Sequence, residues 1–214
     1  KSIPDKLCQG FENLTQIELP SSIETIGVQA FAASGLQSLV IPANVSYIGR
    51  GAFGFCENLK TLTWNAVNCR TDACAIDEGT FEGYHDISLS IFFYSPISTV
   101  TFSNNVERIP AYMLNSQDEL KSVTLPQSLE HIGAYAFGGT RLTTISIPSK
   151  VSYIGKNAFG ISSLKSFDVA EANTTYASKS GILFTKDLTT IVEIPGNIEG
   201  EINIPAQTTN LIDF

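Results

Sequence analysis

The sequence predicts a solenoid: a strand-rich α/β stack of short coils, with a parallel β-sheet on one face and short strands with 3₁₀ or helical turns on the other. Three observations predict it. First, a phrase repeats. Leu36-Gln-Ser-Leu39-Val-Ile41-Pro42, then Val45, Ile48-Gly49 and Ala52-Phe53, returns as Leu142-Thr-Thr-Ile145-Ser-Ile147-Pro148, Val151, Ile154-Gly155 and Ala158-Phe159, with further copies from Leu14 and Leu120. Second, the register is fixed: Leu14 to Leu36, Leu120 to Leu142 and Leu142 to Leu164 each span 22 residues, and Leu36 to Leu59 spans 23. Third, the apolar positions recur within each copy, as Leu14, Ile17, Leu19, Ile23, Ile26, Ala30 and Phe31 in the first. A fixed period of this length means stacked coils whose flat faces are covered only by their neighbours.

Each element of a coil follows from local chemistry. Leu-x-x-Ile-x-Ile/Leu-Pro alternates apolar and polar residues, which is strand periodicity. Proline at 20, 42, 126 and 148 stops the strand, because it has no N–H for a ladder. The Val-x-x-Ile that follows is a second, shorter extended segment. Gly27, Gly49, Gly133 or Gly155 comes next. A left-handed glycine is the usual reading of such a slot, but proline fills it in Arg108-Ile109-Pro110 and Ser2-Ile3-Pro4. Proline fixes φ near −65°. The slot is therefore expected to open a short helical or 3₁₀ turn, where proline is tolerated, with Ala-Phe pointing inward. Equivalent residues stack coil upon coil, Leu39 over Ile17 and Phe53 over Phe31. Burying each Leu, Ile or Phe is worth roughly 1.5–3 kcal/mol, enough in sum to offset the ordering entropy.

The phrase L-x-x-I-x-I-P-x-x-V-x-x-I-G-x-x-A-F closely resembles the BspA-type leucine-rich repeat, a variant common in bacterial surface proteins. The match is specific in the coils from Leu14, Leu36, Leu120 and Leu142. It is degenerate at the N-terminus, at residues 97–119 and after Leu164, and it lapses in 65–96. The resemblance implies a curved solenoid with a parallel sheet on one side, presented outside the cell or at its surface. It implies protein or matrix binding, and adhesion for some members. It implies no catalytic residues and no cofactor.

Composition fits one elongated domain over residues 1–214. With 43% apolar residues the 214-residue chain can bury a substantial core. The net charge is −8, the pI near 4.7, and Lys plus Arg number 13, which argues against nucleic-acid partners and anionic membrane surfaces. No run approaches the ~18 apolar residues of a membrane span. No signal peptide opens the chain, and Lys1-Ser-Ile-Pro-Asp already lies inside a repeat. Both ends fall mid-coil, so the expectation is a piece of a longer polypeptide. Open coil ends also expose core ladders, which makes end-to-end self-association an expected mode of contact.

Two regions break the period. In 65–96, Leu59 to Trp64 still scans as a strand start, and Ile76 with Phe81 fits the Ile…Phe pair. The insert carries Cys69, Asp72, Cys74, Asp77, Glu78, Tyr84, His85 and Asp86, then apolar Ile91-Phe-Phe-Tyr94. Such loops often carry binding; the plainer reading is a long loop whose aromatics close the core. The second break, Tyr176 to Pro195, reads as a β-hairpin: Gly181-Ile-Leu-Phe184, the turn Thr185-Lys-Asp-Leu188, and Thr190 to Ile194. It would either dock a partner or patch the sheet edge.

Candidate chemistry is thin. Of the four cysteines, Cys8 occupies a Phe31-like slot and Cys56 sits just past Phe53, both read as small buried hydrophobes. Cys69-x4-Cys74 fits free buried thiols best, a disulfide next, and zinc last, since His85 and Asp72 make a weak remaining ligand set. His85 and His131 have no acid–base or nucleophile constellation around them, and no serine lies in G-x-S-x-G. The acids of the insert match no calcium-loop spacing. Asn13, Asn44 and Asn173 head glycan sequons, read as coincidental. No catalytic, cofactor or metal residue is assigned.

One surface pattern remains. The outward strand positions read Gln16/Glu18, Ser38/Val40, Thr61/Thr63, Thr99/Thr101, Ser122/Thr124, Thr144/Ser146 and Ser166/Asp168. With strands ~4.8 Å apart these make two parallel hydroxyl columns. Strand propensity of threonine accounts for them by itself. As a site, Thr61, Thr63, Thr99, Thr101, Ser122, Thr124, Thr144 and Ser146 would be a neutral hydrogen-bonding platform for a protein or glycan. Lacking aromatic and Arg anchors, it would bind weakly and by avidity. The sequence thus points to a non-enzymatic, extracellular recognition or adhesion scaffold. The alternatives are an architectural spacer, or an accessory module of a surface enzyme.

Overall fold

The computed structural model describes residues 1–74, 90–160 and 162–212. In chain order the extended segments are β1 (Ser2–Ile3), β2 (Thr25–Ile26), β3 (Ser38–Ile41), β4 (Tyr47–Ile48), β5 (Thr61–Trp64), β6 (Arg70–Thr71), β7 (Thr99–Phe102) and β8 (Arg108–Ile109). They continue as β9 (His131–Ile132), β10 (Thr144–Ile147), β11 (Tyr153–Ile154), β12 (Ser166–Val169), β13 (Tyr176–Lys179), β14 (Ile182–Thr185), β15 (Thr190–Glu193) and β16 (Asn210–Leu211). Among the described residues, β3-β5-β7 and β10-β12 form parallel sheets on one face, while β1-β2-β4-β6 and β8-β9-β11 form parallel sheets of the shorter strands. The pairing is in the repeat register: Leu39 opposite Leu62 opposite Val100, and Ile26 opposite Ile48 opposite Thr71.

The interior is one ladder after another. Phe31 stacks on Phe53 at 5.3 Å and 5°, Phe53 on Phe92 at 5.7 Å, and Phe137 on Phe159 at 5.3 Å and 2°. Leu114 takes the same slot in the coil between, its N–H donating to Ala136 O as Phe137 N–H does to Ala158 O. Cys8 takes it in the first coil, as its spacing predicts. Three residues after each member of this slot from Phe31 onward lies a buried polar or thiol side chain: Ser34, Cys56, Ser95, Gln117, Thr140 and Ser162. Four of them, Cys56, Ser95, Gln117 and Thr140, peg the corner by donating to a buried turn carbonyl. Ser95 Oγ donates to Phe53 O at 2.6 Å, Thr140 Oγ1 to Phe137 O at 2.8 Å, and Cys56 Sγ to Phe31 O at 3.2 Å. Cys56 is therefore more than the small hydrophobe its sequence position implies.

The turns differ from the helical or 3₁₀ form expected, and helix is nearly absent from the described residues, so the α/β description gives way to an almost all-β one. Gly27, Gly49, Gly133 and Gly155 are not left-handed, as the proline argument requires. The turn that follows does not continue right-handed, though. Gln29 and Ala33 sit at φ 54°, Tyr135 at 56° and Gly139 at 72°. Each left-handed residue interrupts the helix after one i→i−3 bond, giving a chain of separate turns: Ala30 N–H to Gly27 O, Ala32 to Gln29, Ser34 to Phe31. The interruption turns alternate N–H groups outward to the next coil, where Gln29, Phe31 and Ala33 donate to Arg50, Ala52 and Gly54. A helix would keep those N–H groups to itself.

Glycine opens the turn because the coils approach closely there. A Cβ on Gly49 would lie 2.7 Å from the Val28 nitrogen, and one on Gly133 would lie 2.7 Å from the Pro110 carbonyl carbon.

Two irregular regions resolve differently from their sequence reading. The ladder position assigned to Phe81 is filled by Phe92, and Thr71 takes the place of Ile48 in the short-strand sheet, so the extra chain enters between Thr71 and Ser90. Ile76 and Phe81 lie outside the described residues. The predicted hairpin becomes a meander: β13-β14-β15 antiparallel, then β16 added in parallel to β15. Its extra hairpin turns at Ser180-Gly181, both left-handed (φ 50° and 78°), the pair a two-residue hairpin favours. Gly181 O accepts from Phe167 N–H at 2.8 Å, so the meander sits against β12, on the edge-patching reading.

Gly133→Ala should cost about 1–3 kcal/mol in urea denaturation, the usual penalty of an atom forced into packed surroundings. An unchanged midpoint would contradict the close approach of the coils.

Candidate functional site

The outward strand positions stand where the pattern puts them. Ser38, Thr61 and Thr99 lie opposite one another, as do Val40, Thr63 and Thr101, and further along Thr144 faces Ser166 and Ser146 faces Asp168. Thr61, Thr99, Thr101, Ser122, Thr124, Thr144 and Ser146 are exposed, and Thr63 is half-buried. Ser146 Oγ donates to Asp168 Oδ2 at 3.1 Å.

The columns are not continuous, which the sequence did not show. The sheet stops at β7 and resumes at β10; residues 121–126 between them are outside any strand. Among the described residues no backbone hydrogen bond joins Ser122–Leu125 to either neighbour. The face opens on both sides of this segment. One cleft of about 420 Å³ lies between residues 98–104 and 122–127, lined by Thr99, Thr101, Ser122 and Thr124. The other, about 340 Å³, is lined by Ser122, Thr124, Thr144, Ser146 and Asp168. Six of the eight predicted positions thus line two adjoining clefts, whereas Thr61 and Thr63 lie away from them.

The insert residues that are described serve structure. The Tyr47 hydroxyl donates to Asp72 Oδ1, and Arg50 N–H donates to Asp72 Oδ2 at 2.7 Å. Burial, reinforced by Asp72, holds the Tyr47 hydroxyl above its ordinary range. Cys69 and Cys74 are buried free thiols; Thr71 N–H donates to Cys74 Sγ, and burial pushes the Cys69 thiol up. Asp77, Glu78, Tyr84, His85 and Asp86 lie outside the described residues. His131 is half-buried on β9 and stacks on Tyr153 at 4.3 Å. Asn173 is 1% exposed and bonded on all sides, Nδ2 donating to Pro148 O and Val151 O and Oδ1 accepting from Thr175 and Tyr176, which rules it out as a glycan acceptor in the folded chain.

Sequence reasoning missed Glu193, a buried carboxyl on β15. Its Oε1 accepts from Phe159 N–H at 3.2 Å. In the preceding coils that N–H finds a backbone carbonyl, Phe137 to Ala158 O and Phe31 to Ala52 O. Beyond Phe159 the regular turn gives way to the meander, and the Glu193 side chain takes the carbonyl's place. Tyr176 does the same for the short strands, its hydroxyl accepting from Ile154 N–H at 2.9 Å. Burial pushes the Glu193 carboxyl from 4.5 to about 8, against the opposing pull of the Phe159 N–H. The group is a terminal cap; among the described residues no second titratable side chain is bonded to it.

A stack of parallel coils, with a Leu/Ile/Phe interior and short strands on two faces, defines a leucine-rich-repeat solenoid. The chain belongs to the BspA type leucine rich repeat family, whose profile matches residues 1–88 and 85–203 in 6 copies. No curated protein matches its sequence. Among solved structures it is similar to the pneumococcal vaccine antigen PcpA, at 25% identity and TM-score 0.66 over 82% of this chain and 41% of that one. It is similar also to a leucine rich cell surface protein from Faecalibacterium prausnitzii A2-165, at 26% identity and TM-score 0.65 over 97% of this chain and 53% of that one. A leucine-rich repeat protein from Eubacterium ventriosum ATCC 27560 shares the fold at 20% identity and TM-score 0.59, over 90% of this chain and 42% of that one. The chain thus spans about half or less of each. Among the described residues no helix is long and apolar enough to cross a membrane.

A carboxyl whose folded pKa exceeds its unfolded one keeps its proton in the fold while the unfolded chain releases it. Its contribution to stability is full below about pH 4.5 and is lost as pH rises toward about 8. Glu193→Gln keeps an acceptor for Phe159 and removes the titration. Thermal melts at pH 5 and pH 8 should show the variant gaining on the wild type at the higher pH; parallel curves would contradict the buried cap.

Proposed function

We propose that this chain is a non-enzymatic recognition scaffold, extracellular or at the cell surface of a bacterium, with adhesion to protein or glycan partners as its task. The family and a pneumococcal antigen of the same fold support the surface setting. The observation that carries recognition is the interrupted strand face. Where 121–126 leaves the sheet, hydroxyls from three coils surround two clefts instead of lying flat. An extended polar segment lying in these clefts would meet hydroxyls that both donate and accept. The two clefts are lined by no Arg, Tyr or Trp, so single contacts are weak and affinity comes from repetition. With a net charge of −8, nucleic acid is not the partner. Contact between coil ends of two copies is a further expected association.

A spacer role is the second reading, favoured by the small side chains of the face. The two separate experimentally. Binding of the chain to immobilised matrix proteins and mucins should saturate, and Thr101→Arg with Thr124→Arg and Ser146→Arg should weaken it at least about tenfold, or ~1.4 kcal/mol, with Tm unchanged. Identical binding by wild type and triple variant would put recognition elsewhere; no binding by either would favour the spacer.

A further inference from the structure

A different surface carries the anchors that the strand face lacks. Two residues after each ladder slot from Cys8 to Phe137 the backbone is left-handed: Gly10 (φ 76°), Ala33 (54°), Phe55 (58°), Tyr94 (55°), Ser116 (60°) and Gly139 (72°). Four of these are small. Phe55 and Tyr94, on successive coils, place bulky rings in a conformation that costs such residues of order 1–3 kcal/mol. Burial does not offset that cost, since Phe55 is 46% and Tyr94 66% exposed. Phe93 rises beside them. Ring centroids lie 5.2 Å apart for Phe55–Phe93, 5.4 Å for Phe55–Tyr94 and 4.1 Å for Phe93–Tyr94, so the three rings form one cluster at the surface.

Phe55 is the shared wall of two clefts. One, of about 600 Å³, is lined by Glu12, Asn13, Glu57 and Asn58. The other, of about 250 Å³, is lined by Lys6, Gln29, Arg50 and Phe93. An apolar ring cluster flanked by carboxylates, amides and the cations Lys6 and Arg50, all of them hydrogen-bonding groups, matches a ligand with one apolar face and a rim of hydroxyls. A pyranose is such a ligand. Its axial C–H groups form a flat, weakly positive face that sits on the negative face of an aromatic ring. Each of its hydroxyls both donates and accepts, as an adjoining amide and carboxylate require. A protein hot spot also carries a polar rim; what favours a sugar here is that the two clefts beside Phe55, of about 600 and 250 Å³, are on the scale of small-ligand pockets.

We propose that Phe55, Phe93 and Tyr94 form a carbohydrate-binding site, with the rings as a stacking platform and the flanking clefts reading the hydroxyls of neutral sugar units. This names a ligand class for the recognition reading at a surface apart from the strand face, so either can fail alone.

The test uses the full chain on an array of neutral and sialylated oligosaccharides, followed by titration of the best ligand. Phe55→Gly and Tyr94→Gly are the variants of choice. Glycine accepts a left-handed φ without strain, so Tm should hold or rise, and loss of binding cannot be attributed to misfolding. Wild type should bind neutral glycans with Kd between about 10 μM and 1 mM, each glycine variant should lose at least tenfold, and Lys179→Ala, an exposed change in the meander, should bind as wild type. The proposal is overturned by an array without ligands, by undiminished binding in both glycine variants, or by a pull-down in which the same rings retain a protein but no glycan.

Discussion

Phe31, Phe53 and Phe92 lie one above another across three coils, and no one of those coils could bury its own ring. The same holds for the backbone. The left-handed residue in each turn sends alternate N–H groups out of the coil, and only the neighbouring coil offers them carbonyls. Apolar stacking and backbone pairing therefore share a direction, along the solenoid axis. Stability in such an object is a sum over neighbouring coils rather than a property of one centre. The glycine slot, the corner pegs and the alternating turn all serve that axis. Glycine lets the backbones approach, the Ser/Cys/Thr/Gln pegs satisfy carbonyls buried by the approach, and the left-handed residues aim the N–H groups.

The same constraint explains how the regular stack ends at Phe159. Where the repeat lapses, the N–H groups of Phe159 and Ile154 still point outward into a place without a regular coil. The meander supplies side-chain acceptors there, Glu193 and Tyr176, while Asn173 bonds four backbone groups at its base. A buried carboxyl in this setting is a structural device, although its raised pKa taken by itself would resemble a catalytic acid. The proposed sites accordingly lie on surface features that stacking does not use: the gap in the strand face at 121–126, and the ring cluster about the exposed Phe55 and Tyr94.

Much of this was legible in the residues because ladder positions are chosen for burial, and burial has a period. The coil register, the inward Leu, Ile and Phe positions and the outward hydroxyls followed from spacing, and the non-left-handed glycine from the proline that replaces it at 4 and 110. The form of the turns did not, because the first left-handed position holds Gln29, Tyr112 and Asn157 as well as Gly51, which leaves no composition signal. The buried pegs were missed although each lies three residues after a ladder slot, because Ser, Cys, Gln and Thr share a role and not a hydropathy. Phe81 drew the ladder assignment away from Phe92 because nothing in the sequence marks where an insert ends. In the candidate site, residue identities were readable but the opening at 121–126 was not: Ser122 to Leu125 has the same alternation as the strands on either side, and only the pairing distinguishes it.

Coupling between rings on neighbouring coils tests the account most directly. A double-mutant cycle on Phe137 and Phe159, replaced singly and together by leucine, reports their interaction by chemical denaturation. Stacked at 5.3 Å and nearly parallel, they should couple by about 0.5–1.5 kcal/mol. Phe31 and Phe159, several coils apart, should add within experimental error. Coupling absent from the first pair, or equal in both, would show that neighbouring coils do not hold one another in place.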